Sequence, residues 1–166
     1  MISGVLVGDK AFVAKLRALP AAWRQDIDDT TQKLGFGLEA IVKSQYLTGQ
    51  VFKVQTGRLR ASISQGAPDS RSRFESTSTE SSYYVGTNVS YAAPLFYGHA
   101  AYEIRPKTAK ALHFTIGGKD VFAKSVQMPA KPGKNVLAMA LLQYRPTILT
   151  QYELSLSRTA KRVMGQ

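Results

Sequence analysis

The chain has no cysteine among its 166 residues. Disulfides, thiolate metal sites and cysteine nucleophiles are therefore excluded, and reducing and oxidising compartments are equally compatible. Only two histidines are present, His99 and His113, in different local segments and in no recognisable catalytic motif. A Gly-x-Ser-x-Gly elbow, a His-Glu-x-x-His pair, a Walker loop and a Gly-x-Gly-x-x-Gly turn are all missing. No apolar run approaches the roughly 20 residues that a membrane span requires. The opening Met1 to Gly8 lacks the basic start and small-residue cleavage site of a signal peptide. These absences lead us to expect a non-enzymatic protein with no cofactor, no metal and no membrane partner, made in the cytoplasm. Acids are scarce too: 11 Asp and Glu stand against 22 Lys and Arg, giving +11 and a pI near 10.0. Such an excess suits a polyanionic or acidic neighbour.

What is present is ordinary for a folded chain: 44% hydrophobic and 20% charged residues, at a length that fits one domain spanning 1–166. Ile2 to Val7 reads as an edge strand, and Asp9 as the N-cap of a helix burying Phe12, Val13, Leu16 and Leu19. Pro20 punctuates that pattern and suits the first turn of a longer helix reaching about Tyr46. Trp23, Ile27, Thr30, Leu34, Leu38, Ile41 and Gln45 would form its inward stripe. Gly35 and Gly37 weaken such a helix unless a neighbour packs closely there, which is the expectation here. Asp26, Asp28 and Asp29 could hold a divalent cation. The preferred reading is favourable negative charge near a helix N-terminus, with Asp29 pairing to Lys33.

The stretch from Val54 to Ile63 marks the change from helix to sheet. Thr56 can cap through its hydroxyl, Gly57 permits a sharp turn, and residues 58–61 favour a helical turn with Leu59 and Ile63 on one side. Arg58 and Arg60 point away from that side. Ser64 to Arg73, rich in turn formers and carrying Arg71 and Arg73, is expected to be a mobile loop. Arg73 to Thr79 and Ser82 to Thr87 suggest an antiparallel hairpin. Tyr91 to Tyr97 suggests one or two helical turns ending at Gly98. Leu112, Phe114 and Ile116 alternate inward with His113 and Thr115 outward, and Gly117-Gly118 turns the chain into a strand from Val121 to Met128. A second helical region runs from about Lys134 to Val163, kinked or divided at Pro146. The expected architecture is α+β: an antiparallel sheet of about four or five strands packed by the two long helical segments. Trp23, Leu34, Leu38, Leu59, Leu112, Phe114 and Leu141 are expected to share one core.

Lys53 to Arg73 carries five basic residues against Asp69 alone, and Arg105 to Lys134 carries seven against Asp120. Loops of this kind can touch phosphates without reading sequence. No helix-turn-helix, zinc-finger or RNA-recognition signature accompanies them.

The motif order resembles the bacteriophage neck and tail-completion family, the minor tail-component or virion-morphogenesis proteins of long-tailed phages. An amino-terminal helical region leads to Thr56-Gly57-Arg58-Leu59-Arg60-Ala61-Ser62-Ile63. Then come Val85-Gly86-Thr87-Asn88-Val89-Ser90-Tyr91-Ala92, the segment Phe96 to His99, Ile104-Arg105-Pro106-Lys107, Lys110 to Phe114, and Val121 to Val126. A proline-containing stretch precedes the last helix, so the resemblance covers nearly the whole chain. It implies a structural virion protein acting in head-tail joining or tail completion, a subunit of a ring, contacting other neck and tail proteins. It implies no catalytic residues. Arg58, Arg60, Arg71 and Arg73 are the expected docking residues, toward a neighbouring subunit or DNA passing through. The expected location is the virion, with host cytoplasm during assembly. Two other classes stand beside this one: a nonspecific DNA-binding accessory protein and a small hydrolase.

Overall fold

The computed structural model describes residues 10–52 and 56–165, with side chains from residue 19 onward. The expected strand from Ile2 to Val7, the Asp9 cap, the burial of Phe12, Val13 and Leu16, and the residues Lys53, Val54 and Gln55 lie outside what is described. The elements are α and β, but the strands do not form one sheet. Among the described residues they make four separate two-stranded antiparallel pairs, within two compact units: the described residues up to Val89 with those from Val136 onward, and residues 90–135.

The first unit is built on two long helices, α1 (Lys10–Ile41) and α4 (Val136–Met164). They run antiparallel, since Trp23 bonds near Leu156, Thr31 meets Tyr152, and Tyr46 meets Gln143. Both helices continue through the prolines expected to break them, Pro20 and Pro146. A proline removes one intrahelical bond. Packing along the length of the helix pair can outweigh that loss, because most helical stability in proteins is tertiary. A π-helical turn, Val42–Tyr46, follows α1.

The seam between α1 and α4 is largely polar. Thr30 Oγ1 donates to Ser155 Oγ at 2.9 Å, and the Thr31 and Tyr152 hydroxyls meet at 2.6 Å. Thr31, Ser155 and Thr159 are all buried, which these bonds make tolerable. The apolar core of this unit holds Leu19, Leu34, Val42, Leu47, Leu59, Ile63, Val89, Val136 and Ala140. Trp23 and Leu38 are half-buried. Leu141, expected in the core, is 48% exposed.

Gly57 (φ 69°) leads into the short helix α2 (Arg58–Ala61), and the Thr56 hydroxyl accepts from the Arg58 N–H at 3.4 Å. Leu59 and Ile63 are both buried, as their spacing predicts. The hairpin β1 (Arg73–Ser76) and β2 (Ser81–Tyr84) pairs Phe74 with Tyr83. It packs on α1 where Gly35 lies under the Tyr83 ring. Close packing is thus the reason for that glycine, and Tyr144 plays the same part at Gly37.

The second unit is one long β-ribbon with a short helix at its base. Helix α3 (Ala92–Tyr97) ends at Gly98. From there β3 (Gly98–His99) pairs with β8 (Lys131–Pro132), β4 (Tyr102–Ile104) with β7 (Val126–Met128), and β5 (Leu112–Ile116) with β6 (Lys119–Ala123). The pairs are nested about the turn at Gly117-Gly118, whose φ values of 57° and 81° suit a type I′ hairpin. The register from Gly98↔Pro132 carries unbroken to Ile104↔Val126. It then shifts where residues 105–111 face only residues 124–125. This nesting explains why the expected sheet is not found among the described residues: the ribbon pairs with itself about one turn, and no third described strand joins it. It also divides the strand expected from Val121 to Met128. Leu112 and Phe114 are half-buried, and Ile116 is exposed.

Candidate docking site

The four arginines singled out by sequence all lie in the first unit, in three different settings. Arg58 Nε and Nη2 donate to Asp69 Oδ2 at 2.9 and 2.7 Å. Asp69 takes a left-handed φ of 61°, a conformation that aspartate tolerates better than most residues. Its carbonyl accepts from the Asn88 N–H at 2.7 Å, and Asn88 Oδ1 accepts from Arg71 Nε at 2.8 Å. Arg58 and Arg71 are thereby joined through Asp69 and Asn88. Arg73, on β1, pairs with Glu75 and stands 4.4 Å over the Tyr84 ring. The Glu75 hydrogen bond holds its pKa above the ordinary arginine value. Arg60, on α2, is exposed and has no ion-pair partner among the described residues.

Within Ser64–Arg73, the segment expected to be mobile, residues 64–72 form a run of hydrogen-bonded turns. Backbone N–H groups of Ser64, Ala67 and Ser70 donate to the carbonyls of Ala61, Ser64 and Ala67. Side chains then pin the run from both sides. Glu39 Oε1 accepts from the Gln65 N–H at 2.9 Å, Lys43 Nζ donates to Ser64 Oγ at 2.7 Å, and Ser72 Oγ donates to the Ile63 carbonyl at 2.6 Å. Serines that read as loop filler are thus anchors, and Ser62 and Ser72 are buried. Glu39 is a buried carboxylate that also accepts from the Tyr83 hydroxyl at 2.9 Å. Burial, then that bond, pushes the Tyr83 hydroxyl well above the ordinary tyrosine range. Sequence reasoning missed this pair, because Glu39 and Tyr83 lie 44 residues apart along the chain.

Asp26, Asp28 and Asp29, expected near a helix N-terminus, lie deep inside α1, and the first two act as cross-links. Asp26 accepts from Thr159 and from Arg162 Nη2 at 3.0 Å, tying α1 to α4. Asp28 accepts from Ser81 and from Ser76 Oγ at 2.9 Å, tying α1 to the hairpin. No group of acids and histidines suited to a metal ion occurs among the described residues.

On the ribbon, His113 Nε2 lies 3.0 Å from Asp120 Oδ1, and its ring stacks on Phe122 at 4.7 Å. Thr115 Oγ1 donates to the same Asp120 oxygen at 3.3 Å. All of this sits on exposed strand residues, so it clasps the end of a hairpin. Around it the ribbon exposes Tyr102, Ile104, Ile116 and Phe122, the last at 70%. Arg105, Lys107, Lys110, Lys119, Lys124 and Lys131 are exposed on the same unit. No helix among the described residues is long and apolar enough to cross a membrane. No family model, no curated protein and no solved structure matches this chain.

Proposed function

We propose that this chain is a structural virion protein of a long-tailed bacteriophage, acting in head-tail joining or tail completion at the neck as a subunit of a ring. The observation that carries the reading, beside the motif order, is the ribbon of residues 98–132. A two-stranded ribbon is at best marginally stable alone and leaves a row of backbone donors and acceptors open on each edge. This one also exposes Tyr102, Ile104, Ile116 and Phe122. Such an element suits a subunit that finishes its sheet and covers its aromatics against neighbours in an assembly. Arg58, Arg60, Arg71 and Arg73 would dock on a partner's carboxylates or on phosphate, where arginine's planar fork is effective. Particles made with and without the gene, compared by negative-stain electron microscopy, test this. Unjoined heads and tails are expected in its absence, and normal particles would overturn the reading.

Nonspecific contact with DNA is a second reading, favoured by the basic residues spread along the ribbon. It predicts an affinity that falls steeply between two salt concentrations and is indifferent to sequence. Saturable binding that ignores salt would count against it.

A further inference from the structure

Helix α4 has an exposed apolar face apart from the side packed on α1. Leu142, Leu149 and Leu156 recur at seven-residue steps and are 69, 55 and 40% exposed. A seven-residue step drifts only about 20° on a straight helix, so the three leucines form one stripe, spanning about 21 Å at 1.5 Å per residue. The buried residues Val136, Ala140, Ser155 and Thr159 occupy a different side of the helix. Two charges flank the central leucine symmetrically: Arg145 precedes Leu149 by four residues and Glu153 follows it by four. Both are exposed, and neither has an ion-pair partner among the described residues.

We infer that this stripe pairs with the same stripe of a second copy, antiparallel and two-fold about Leu149. In that arrangement Leu149 meets its own copy, Leu142 meets Leu156, and Arg145 meets Glu153 twice. A parallel pair would instead set arginine against arginine and glutamate against glutamate, so the charge pattern selects the antiparallel form. The contact is isologous, the kind that closes at two subunits. Its area is small and each copy carries a charge of +11, so the dimer is weak, with a dissociation constant on the order of micromolar or above. This inference does not depend on the virion reading.

Sedimentation equilibrium of the full chain over a concentration series tests it. A monomer-dimer equilibrium is expected. Leu149→Arg should weaken it at least about tenfold by burying two cations together. Arg145→Glu and Glu153→Arg should each weaken it, and the two combined should restore it. The three positions varied, Arg145, Leu149 and Glu153, are exposed in the monomer, and circular dichroism checks that the variants fold. Should Leu149→Arg fail to fold, the charge variants decide alone. A monomer at every concentration would overturn the inference, whether or not the stripe then binds vesicles or another protein. So would a dimer indifferent to Leu149→Arg, or one that the combined charge reversal leaves weakened.

Discussion

The ring of Tyr83 fills the space that a side chain at Gly35 would occupy. The hairpin can therefore approach α1 closely enough for the Tyr83 hydroxyl to reach buried Glu39. Gly35→Ala should raise helix propensity by up to about 1 kcal/mol. Overpacking against the ring costs more, about 1–3 kcal/mol, so net destabilisation is expected. A lower urea midpoint with an unchanged slope would show this, whereas a higher midpoint would mean that the hairpin moves aside freely.

Asp26 and Asp28 should shape the acid limb of stability. The Thr159 hydroxyl, and then Arg162, hold the Asp26 carboxyl below its ordinary range against the opposing effect of burial. Ser81, and then Ser76 and Arg24, do the same for Asp28. A folded-state pKa below the unfolded value means that the unfolded chain binds protons first. The stabilisation is complete above the usual carboxylate range near 4 and is lost as pH falls through the folded values. Asp26→Asn with Asp28→Asn should lower stability near neutrality by about 1–3 kcal/mol and flatten the melting-temperature profile below about pH 5. A parallel profile would leave the acid limb to other groups.

Gly98 has φ 83° and ψ −178°, a region open essentially to glycine alone. A Cβ there would also lie 2.5 Å from the Lys131 carbonyl oxygen. Gly98→Ala should loosen the base of the ribbon. Hydrogen exchange should speed up at Lys134, whose N–H bonds to the Leu95 carbonyl at 2.9 Å, and stay unchanged in β1 and β2. Uniformly faster exchange would point to global destabilisation instead.

The arginines should separate by setting. Arg58→Gln removes an exposed ion pair to Asp69 and should cost at most about 1 kcal/mol. Arg60→Gln should change stability by less than about 0.5 kcal/mol. If docking is its role, Arg60→Gln should still lower particle yield in complementation. Full yield would remove Arg60 from the docking set.

The parts legible in sequence were those governed by local periodicity or turn chemistry: the inward stripe of α1, the helical turn at Arg58, the aromatic turn ending at Gly98, and the hairpin about Gly117-Gly118. Close packing at Gly35 was legible because a mid-helix glycine needs a reason, though nothing nearby in sequence names Tyr83. Pro20 and Pro146 misled, because their local cost is visible while the compensating helix pair is not. The aspartates misled because their partners, Ser76, Ser81, Thr159 and Arg162, lie far along the chain. Apolar residues of α4 could be counted, but a count does not divide them into a covered face and an open one, so Leu141 was assigned to the core. For the four arginines proposed to dock, sequence could not say that Arg58, Arg71 and Arg73 are already engaged within the chain.

The antiparallel pair of α1 and α4 joins the two sides of a long interruption, since everything from Val42 to Asn135 is translated between them. On the ribosome, α1 must wait with its polar seam of Asp26, Thr30 and Thr31 unmatched until α4 emerges. Contacts so distant in sequence form slowly, and incomplete intermediates expose sticky surface. A nascent chain therefore cannot complete this helix pair until synthesis has passed Arg162, whose bond to Asp26 is one of the ties between them.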